Sequence, residues 1–317
     1  MKKNSQSNSG LTASLSISQH QHPPDRFEAV DLHMLLRMAR ERDRPYVAPS
    51  SEALDRTSAA GLALFKETQS GRCVQATPHF RAAGFEVAAT ALGGGPAFAV
   101  RELPDNHIGG GIYIVRQGPV PRERIVQVPH SFFDVGTLEI GTELANAAVA
   151  RALFVNTVHR YQAGRPRQND DEDREEAPAD LAHQEATFFQ RLTASALMAL
   201  PQLQVIQVHG FGDGAVPESM QAAVVVSPGA AGAGAEEAAR VAARLAALLG
   251  RERVFLFPRD TRKFGAQTNM QGRLVATYRS ATFLHLELSR TMRANLRQDM
   301  ELRRAFIAAV IGTGEKP

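Results

Sequence analysis

Tryptophan is absent from the 317 residues, tyrosine occurs four times, cysteine once, and five of the 36 basic side chains are lysines. Each shortage excludes something. A lone Cys73 cannot close an internal disulfide, and it rules out zinc ribbons and CxxC chemistry. Without Trp and with few Tyr, there is little material for a platform that stacks sugars or bases. No stretch approaches 18 consecutive apolar residues, so no membrane-spanning helix is expected. What is present suits a folded protein: 44% hydrophobic and 22% charged residues, with length for one large or two ordinary domains. The net charge is +3, and the 31 arginines are scattered among acids instead of forming a basic stripe, so no nucleic-acid partner is expected.

Residues 1–25 are polar and Ser/Gln-rich and are expected to form a disordered tail. Lys2 and Lys3 open the chain without an apolar segment behind them, so the sequence as given reads as cytoplasmic; a start further upstream could supply export. Residues 26–118 are expected to form a small α+β module, with an amphipathic helix over 27–42 and strands at 85–90, 97–103 and 111–115. Glycine triplets at 93–95 and 109–111 read as turns, since neither precedes a helix start that could cradle a phosphate. Residues 119–317 alternate β-runs (125–129, 152–157, 204–208, 222–227, 254–257, 272–278, 283–288) with helical patterns (138–150, 180–200, 235–249, 289–310). Such alternation predicts an α/β fold, a mostly parallel or mixed twisted sheet with helices on both faces. Ligands on such sheets bind at the strand carboxyl ends. The acidic run at 170–176 reads as a solvated loop.

Three strands carry polar residues where the chemistry should lie. His130 follows IVQVP, His209 follows QVIQV, and Glu287 sits inside the apolar FLHLELSR. Two histidines, one carboxylate and an open position make a catalytic zinc site. Asp134, four residues after His130, and Glu143, thirteen after, are equal candidates for the third ligand, the other then orienting a histidine. Asp134 or Thr137 could instead cap the helix beginning near Leu138. Glu287 can take the proton of a water attacking a carbonyl and pass it to the leaving amine.

The order of histidine loop with carboxylate, strand histidine and strand glutamate resembles the zinc carboxypeptidase-like superfamily. That group includes N-formylglutamate amidohydrolases and zinc N-acetylmuramoyl-L-alanine amidases. PHSFFDVGT resembles their first-histidine loop, VIQVHGF the strand of the second histidine, and FLHLELSRTMR the strand of the catalytic glutamate. The resemblance covers about 122–310 and implies a zinc-dependent amide hydrolase with His130 and His209 as ligands and Glu287 as base. Two departures stand out: Phe133 replaces the glutamate of the carboxypeptidase H-x-x-E, and Ser131 and Phe132 replace the two glycines of the muramoyl amidases.

Substrate contacts are expected after the strand at 152–157, where Arg160 could clamp a carboxylate and His159 polarise the scissile carbonyl. Asn269 and Arg273 are further substrate candidates, with His183, Glu185, Thr268 and Gln271 behind them. The expected substrate is an N-acyl amino acid or small peptide, or a cell-wall peptide if the protein is exported. A non-catalytic binding member of the fold is the alternative. A non-haem iron oxygenase would need His-x-Asp on a β-sandwich, whereas the spacing here is four and the context α/β. No G-x-S-x-G run offers a serine nucleophile.

Overall fold

Short runs rich in β-branched and aromatic residues give nine strands, and longer runs with apolar residues three or four apart give eight helices among the described residues. The computed structural model describes residues 37, 45–70, 72, 75–106, 108–163, 177–200, 202–215, 221–229 and 234–312. The tail, the helix expected over 27–42 (Arg37 excepted), Cys73 and the acidic run at 170–176 lie outside them.

In chain order the elements are α1 (Ser51–Thr68), α2 (Ala76–Ala82), β1 (Phe85–Leu92), β2 (Gly95–Glu102), β3 (Ile112–Arg116), β4 (Arg124–Val128), α3 (Thr137–Ala147), β5 (Ala152–Val155) and α4 (Phe188–Ala199). There follow β6 (Gln204–Phe211), β7 (Val224–Ser227), α5 (Ala235–Leu249), β8 (Val254–Leu256), α6 (Met270–Ala276), β9 (Thr282–Ser289), α7 (Arg290–Gln298) and α8 (Met300–Ile311). All nine strands share one sheet, in the order β1-β2-β3-β5-β4-β6-β9-β7-β8. The middle strands β5, β4, β6 and β9 are parallel, while β1, β2 and β3 run as antiparallel neighbours and β3 joins β5 antiparallel. At the other side β7 pairs antiparallel with β9 and parallel with β8. The fold is α/β with a mixed sheet, as the alternation of strands and helices predicts.

Both faces are covered. One buries Val126, Val128, Ile206, Val208, Leu284, Leu286 and Leu288 under α3, α5, α7 and α8. The other buries Ile125, Phe154, Val205 and Phe283 under α1, α4 and α6. Gly93 and Gly94 form the two-residue turn between β1 and β2, both at positive φ, the conformation a tight hairpin requires and glycine adopts freely.

Three expectations about elements are corrected. Residues 272–278 form not a strand but most of α6, because the Asn269 side chain accepts from the N–H of Gly272 and starts a helix. Its buried residues Gln271, Gly272 and Val275 then fall on one side. The helix expected from residue 180 begins at Phe188, capped by Thr187; the turns before it carry Asp180 and His183 elsewhere. The long C-terminal helix is two, since Asp299 has extended backbone and its carboxylate caps α8 through the N–H of Leu302.

The boundary expected between residues 118 and 119 falls between β3 and β4, and the sheet runs through it. Arg151 fastens this place. Fully buried, it forks onto Glu123 through Nε and Nη2, both at 2.8 Å, and its Nη1 donates to the carbonyls of Arg116 and Gly118 at 2.8 Å. Removing Arg151 leaves the carbonyls of Arg116 and Gly118 without their partner, while Glu123, 27% exposed, can turn to water. Arg151→Ala is therefore expected to destabilise the fold by about 1–3 kcal/mol, read as a fall in the urea unfolding midpoint. A midpoint within error of wild type would show that the fork is not structural.

Candidate metal centre

Side chains two apart on a strand share a face. On β4, β6 and β9 the face that begins with Ile125, Val205 and Phe283 continues with Gln127, then Gln207 and His209, then His285 and Glu287. One face thus turns from apolar to polar toward the carboxyl ends. The parallel register puts His209 beside Glu287 and Gln207 beside His285.

His130 arrives from the turn after β4. The N–H groups of Phe133 and Asp134 donate to the His130 carbonyl at 3.0 and 2.8 Å, so the chain doubles back and returns Asp134 beneath the imidazole. Gly136, at φ +98°, then starts α3 without any side-chain cap. Neither Asp134 nor Thr137 caps this helix, contrary to one expectation: the Thr137 hydroxyl donates to the Asp134 carbonyl at 2.7 Å, and the Asp134 carboxylate faces the histidines.

Three buried ligand atoms converge. His130 Nδ1 and His209 Nδ1 lie 3.1 Å apart, and Asp134 Oδ2 is 3.4 Å from the first and 3.7 Å from the second. Asp134 Oδ2 is buried and has no hydrogen-bond partner. A tetrahedral zinc with bonds of about 2.0–2.1 Å holds neighbouring donors about 3.4 Å apart, so the triangle has the size such an ion needs. Each imidazole is also held from behind, as metal-binding histidines are. His130 Nε2 meets Asp180 Oδ1 at 2.8 Å, and His209 Nε2 meets Gln207 Oε1 at 3.0 Å. The residues present fit a metal ion.

The electrostatics agree. Burial pulls the His130 imidazole down, but Asp180 and Asp134 carry it up to about 9. His209, depressed by burial and by the neighbouring His285 and His130, is held neutral. His285 is lowered to about 3, by burial first and then His130 and His183. Asp180 is held far below the usual carboxylate range: burial opposes ionisation, but His130 and His183 outweigh it. Burial and the charge of Asp134 push Glu287 up to about 8, against the pull of His130, Arg293 and Arg160.

A cavity of about 310 Å³ opens here, lined by His130, Asp134, His209, Glu287, Arg160 and residues of the 262–269 segment. The structure brings His130, Asp134 and His209 together, sets Glu287 next to them and puts Arg160 on the wall. Arg160 lies 5.2 Å from the ring centres of both Phe133 and Tyr161 and pairs with Asp180. His159 stands outside the wall, its Nδ1 accepting from the N–H of Tyr161 and its ring against Phe133. Asn269 reaches the cavity, yet its amide is committed to Gln207 and Gly272. Arg273 is exposed and donates to the Gln267 carbonyl, away from the donors. Glu143 is not brought to the site. The core-facing side of α3 is Leu138, Ile140, Leu144 and Ala145, which turns Glu143 outward into a separate groove with Arg303 and Arg304. Of the reserve candidates, His183 and Thr268 reach the wall, Glu185 is exposed elsewhere, and Gln271 is buried beneath.

Several residues escaped sequence reasoning. His285 and Gln207 could have been found by stepping two back from Glu287 and His209. Asp180 could not, since nothing in ADLAH ties it to a histidine fifty residues earlier. Arg293, in the first turn of α7, joins them. Its Nε donates to the Val135 carbonyl at 2.8 Å, and its Nη1 donates to the carbonyls of Phe211 and Leu288. It thereby ties the His130 loop to the ends of β6 and β9. A Cβ at Gly210 would meet Arg293 Nη1 at 1.9 Å, so any side chain there would have to displace the guanidinium from these carbonyls.

No family model and no curated protein matches the chain. Solved structures do. A bacteriophage poly-gamma-glutamate hydrolase aligns at 13% identity over 63% of this chain and 86% of its own, with a TM-score of 0.41. N-formylglutamate amidohydrolase from Ralstonia eutropha JMP134 aligns at 12% over 65% and 97%, also at 0.41. A Zn-dependent exopeptidase from Parabacteroides distasonis ATCC 8503 aligns at 11% over 85% and 98%, at 0.34. At such TM-scores the likeness carries no weight for the chemistry, which rests on the site's own geometry.

Since His130 keeps its proton up to about pH 9 in the metal-free protein, a cation at Nδ1 must displace it. Zinc affinity is expected to rise with pH between 6.5 and 8.5, by up to about tenfold per unit, with proton release in weakly buffered solution. Chelator competition at several pH values checks this. Uptake independent of pH would place the ion elsewhere.

Proposed function

We propose that the protein is a zinc-dependent amide hydrolase acting on an N-acyl amino acid or small peptide. The observation that carries this reading is the triangle of His130, Asp134 and His209 donors with Glu287 in register beside His209. The open cavity of about 310 Å³ suits a small substrate.

His130, Asp134 and His209 would hold the ion, which when bound polarises a carbonyl and lowers the pKa of water. Glu287 provides the base. Its carboxylate takes a proton from the attacking water as the oxygen–carbon bond forms, then returns it to the nitrogen as the carbon–nitrogen bond breaks. The products are a carboxylic acid and an amine, which part as a carboxylate and an ammonium once the acid's proton passes to the amine. Burial, which raises the Glu287 carboxyl, brings it close to the range where it can serve in both directions. Arg160, held in place by Asp180 and the two aromatic rings, offers a guanidinium on the cavity wall for a substrate carboxylate. Asp180 fixes His130 as well, so one buried carboxylate positions a metal-facing group and a substrate-facing group.

Purified protein is expected to contain about one zinc per chain, measured by elemental analysis, and His130→Ala and His209→Ala should lose it. Glu287→Gln should retain zinc while turnover of N-acyl amino acids falls by about 10²–10⁴. Undiminished turnover in Glu287→Gln would show that the base is another group. Zinc-free, inactive wild-type protein would leave a non-catalytic binding module.

A further inference from the structure

Beneath the site lies a set of buried amides that the chemistry above does not use. Gln127, Gln207, Gln271 and Thr193 are fully buried, and Asn269 and Gln190 nearly so. Buried amides must pair their atoms, and which end donates is set by neighbours that can play only one role.

Backbone groups supply those fixed roles. The Leu181 carbonyl accepts from Gln271 Nε2 at 2.9 Å, which leaves Gln271 Oε1 to accept from Gln207 Nε2 at 2.9 Å. The Thr193 hydroxyl donates to the Phe189 carbonyl at 2.8 Å and so accepts from Gln127 Nε2 at 2.8 Å. Gln127 Oε1 is then free to accept from Gln207 Nε2 at 2.8 Å. From a third side the N–H of Gly272 donates to Asn269 Oδ1 at 2.8 Å, which leaves Asn269 Nδ2 to donate to Gln207 Oε1 at 2.7 Å. Three independent anchors therefore hold the Gln207 amide in one of its two orientations.

That orientation points Oε1 at His209 Nε2, 3.0 Å away. An oxygen there has no hydrogen to give, so the ring must carry its proton on Nε2. Nδ1 then presents a lone pair toward His130 and Asp134. A flipped amide would donate to Nε2 and drive the proton onto Nδ1, into the space where the donors converge. His130 needs no such arrangement, because either oxygen of Asp180 accepts. An amide with two unlike ends can do this work only if something prevents its rotation.

We propose that Gln207, locked by Gln271, Gln127 and Asn269, is a positioning residue that fixes the tautomer of His209 and so makes the site ready for a cation. Its purpose rests on the metal-centre reading, whereas the tautomer itself does not.

Long-range ¹H–¹⁵N correlation spectra of the metal-free protein report the tautomer directly. Wild type is expected to show His209 as the Nε2–H form alone. Gln207→Leu should give a mixture and weaken zinc, by chelator competition, by about 10- to 100-fold. Gln271→Met touches His209 only through Gln207 and should move both readouts the same way by a smaller factor. An Nδ1–H His209 in wild type overturns the proposal, as does a folded Gln207→Leu protein with tautomer and affinity unchanged. Should Gln207→Leu fail to fold, the wild-type tautomer and Gln271→Met decide. Wild type that takes up no zinc, yet has the Nε2–H form and loses it in Gln207→Leu, upholds the positioning chain and removes the metal reading.

Discussion

Neighbouring strands lie about 4.8 Å apart, and a parallel register decides which side chains stand next to each other across that gap. In this protein β4, β6 and β9 are in parallel register, so Gln127 meets Gln207 and His209 meets Glu287. A slip of one residue would turn His209 and Glu287 to the opposite face, under Leu144, Val241 and Met292, where ionisable groups have no partners. The same slip would expose Val208 and Leu286 to the cavity. Core packing and site assembly are thus one constraint, and neither can be altered without the other.

The site concentrates buried charge, which a fold tolerates only when each group is paired. Asp180 meets His130, His183 and Arg160 together, and Arg293 spends its donors on three carbonyls at the ends of separate segments. Asp134 Oδ2 and Glu287 Oε2 are the buried carboxylate oxygens of the site that find no hydrogen-bond partner. One faces the two Nδ1 atoms and the other lies beside them. Unpaired buried oxygens at a point where two imidazoles converge are what a cation would satisfy.

The remaining polar residues are supports. Asp180 and Gln207 stand behind the two imidazoles and dictate which nitrogen faces inward. A carboxylate does so unaided, whereas the amide requires Gln271, Gln127 and Asn269 to hold it. Asn269, read from the sequence as a substrate contact, thus caps α6 with its carbonyl and braces Gln207 with its amide nitrogen.

Much of the sheet was legible because strands alternate and helices repeat every three or four residues, and those periods are local. His130, His209 and Glu287 were legible for the same reason: each is a polar residue in or directly after an apolar strand. Local patterns failed where a cap or turn overrode them, as at Asn269, Asp299 and the turns before Phe188. They failed also where contacts span long loops. Nothing in one dimension brings Asp180 behind His130, chooses Asp134 over the outward-facing Glu143, or bolts Arg151 to the carbonyls of Arg116 and Gly118 across the expected boundary. The sequence by itself determined most of the strands and helices, their buried faces and the types of residue available at the strand ends. Only the tertiary structure decided which of those residues meet, because strand order, register and the direction of a buried amide depend on neighbours far apart in the chain.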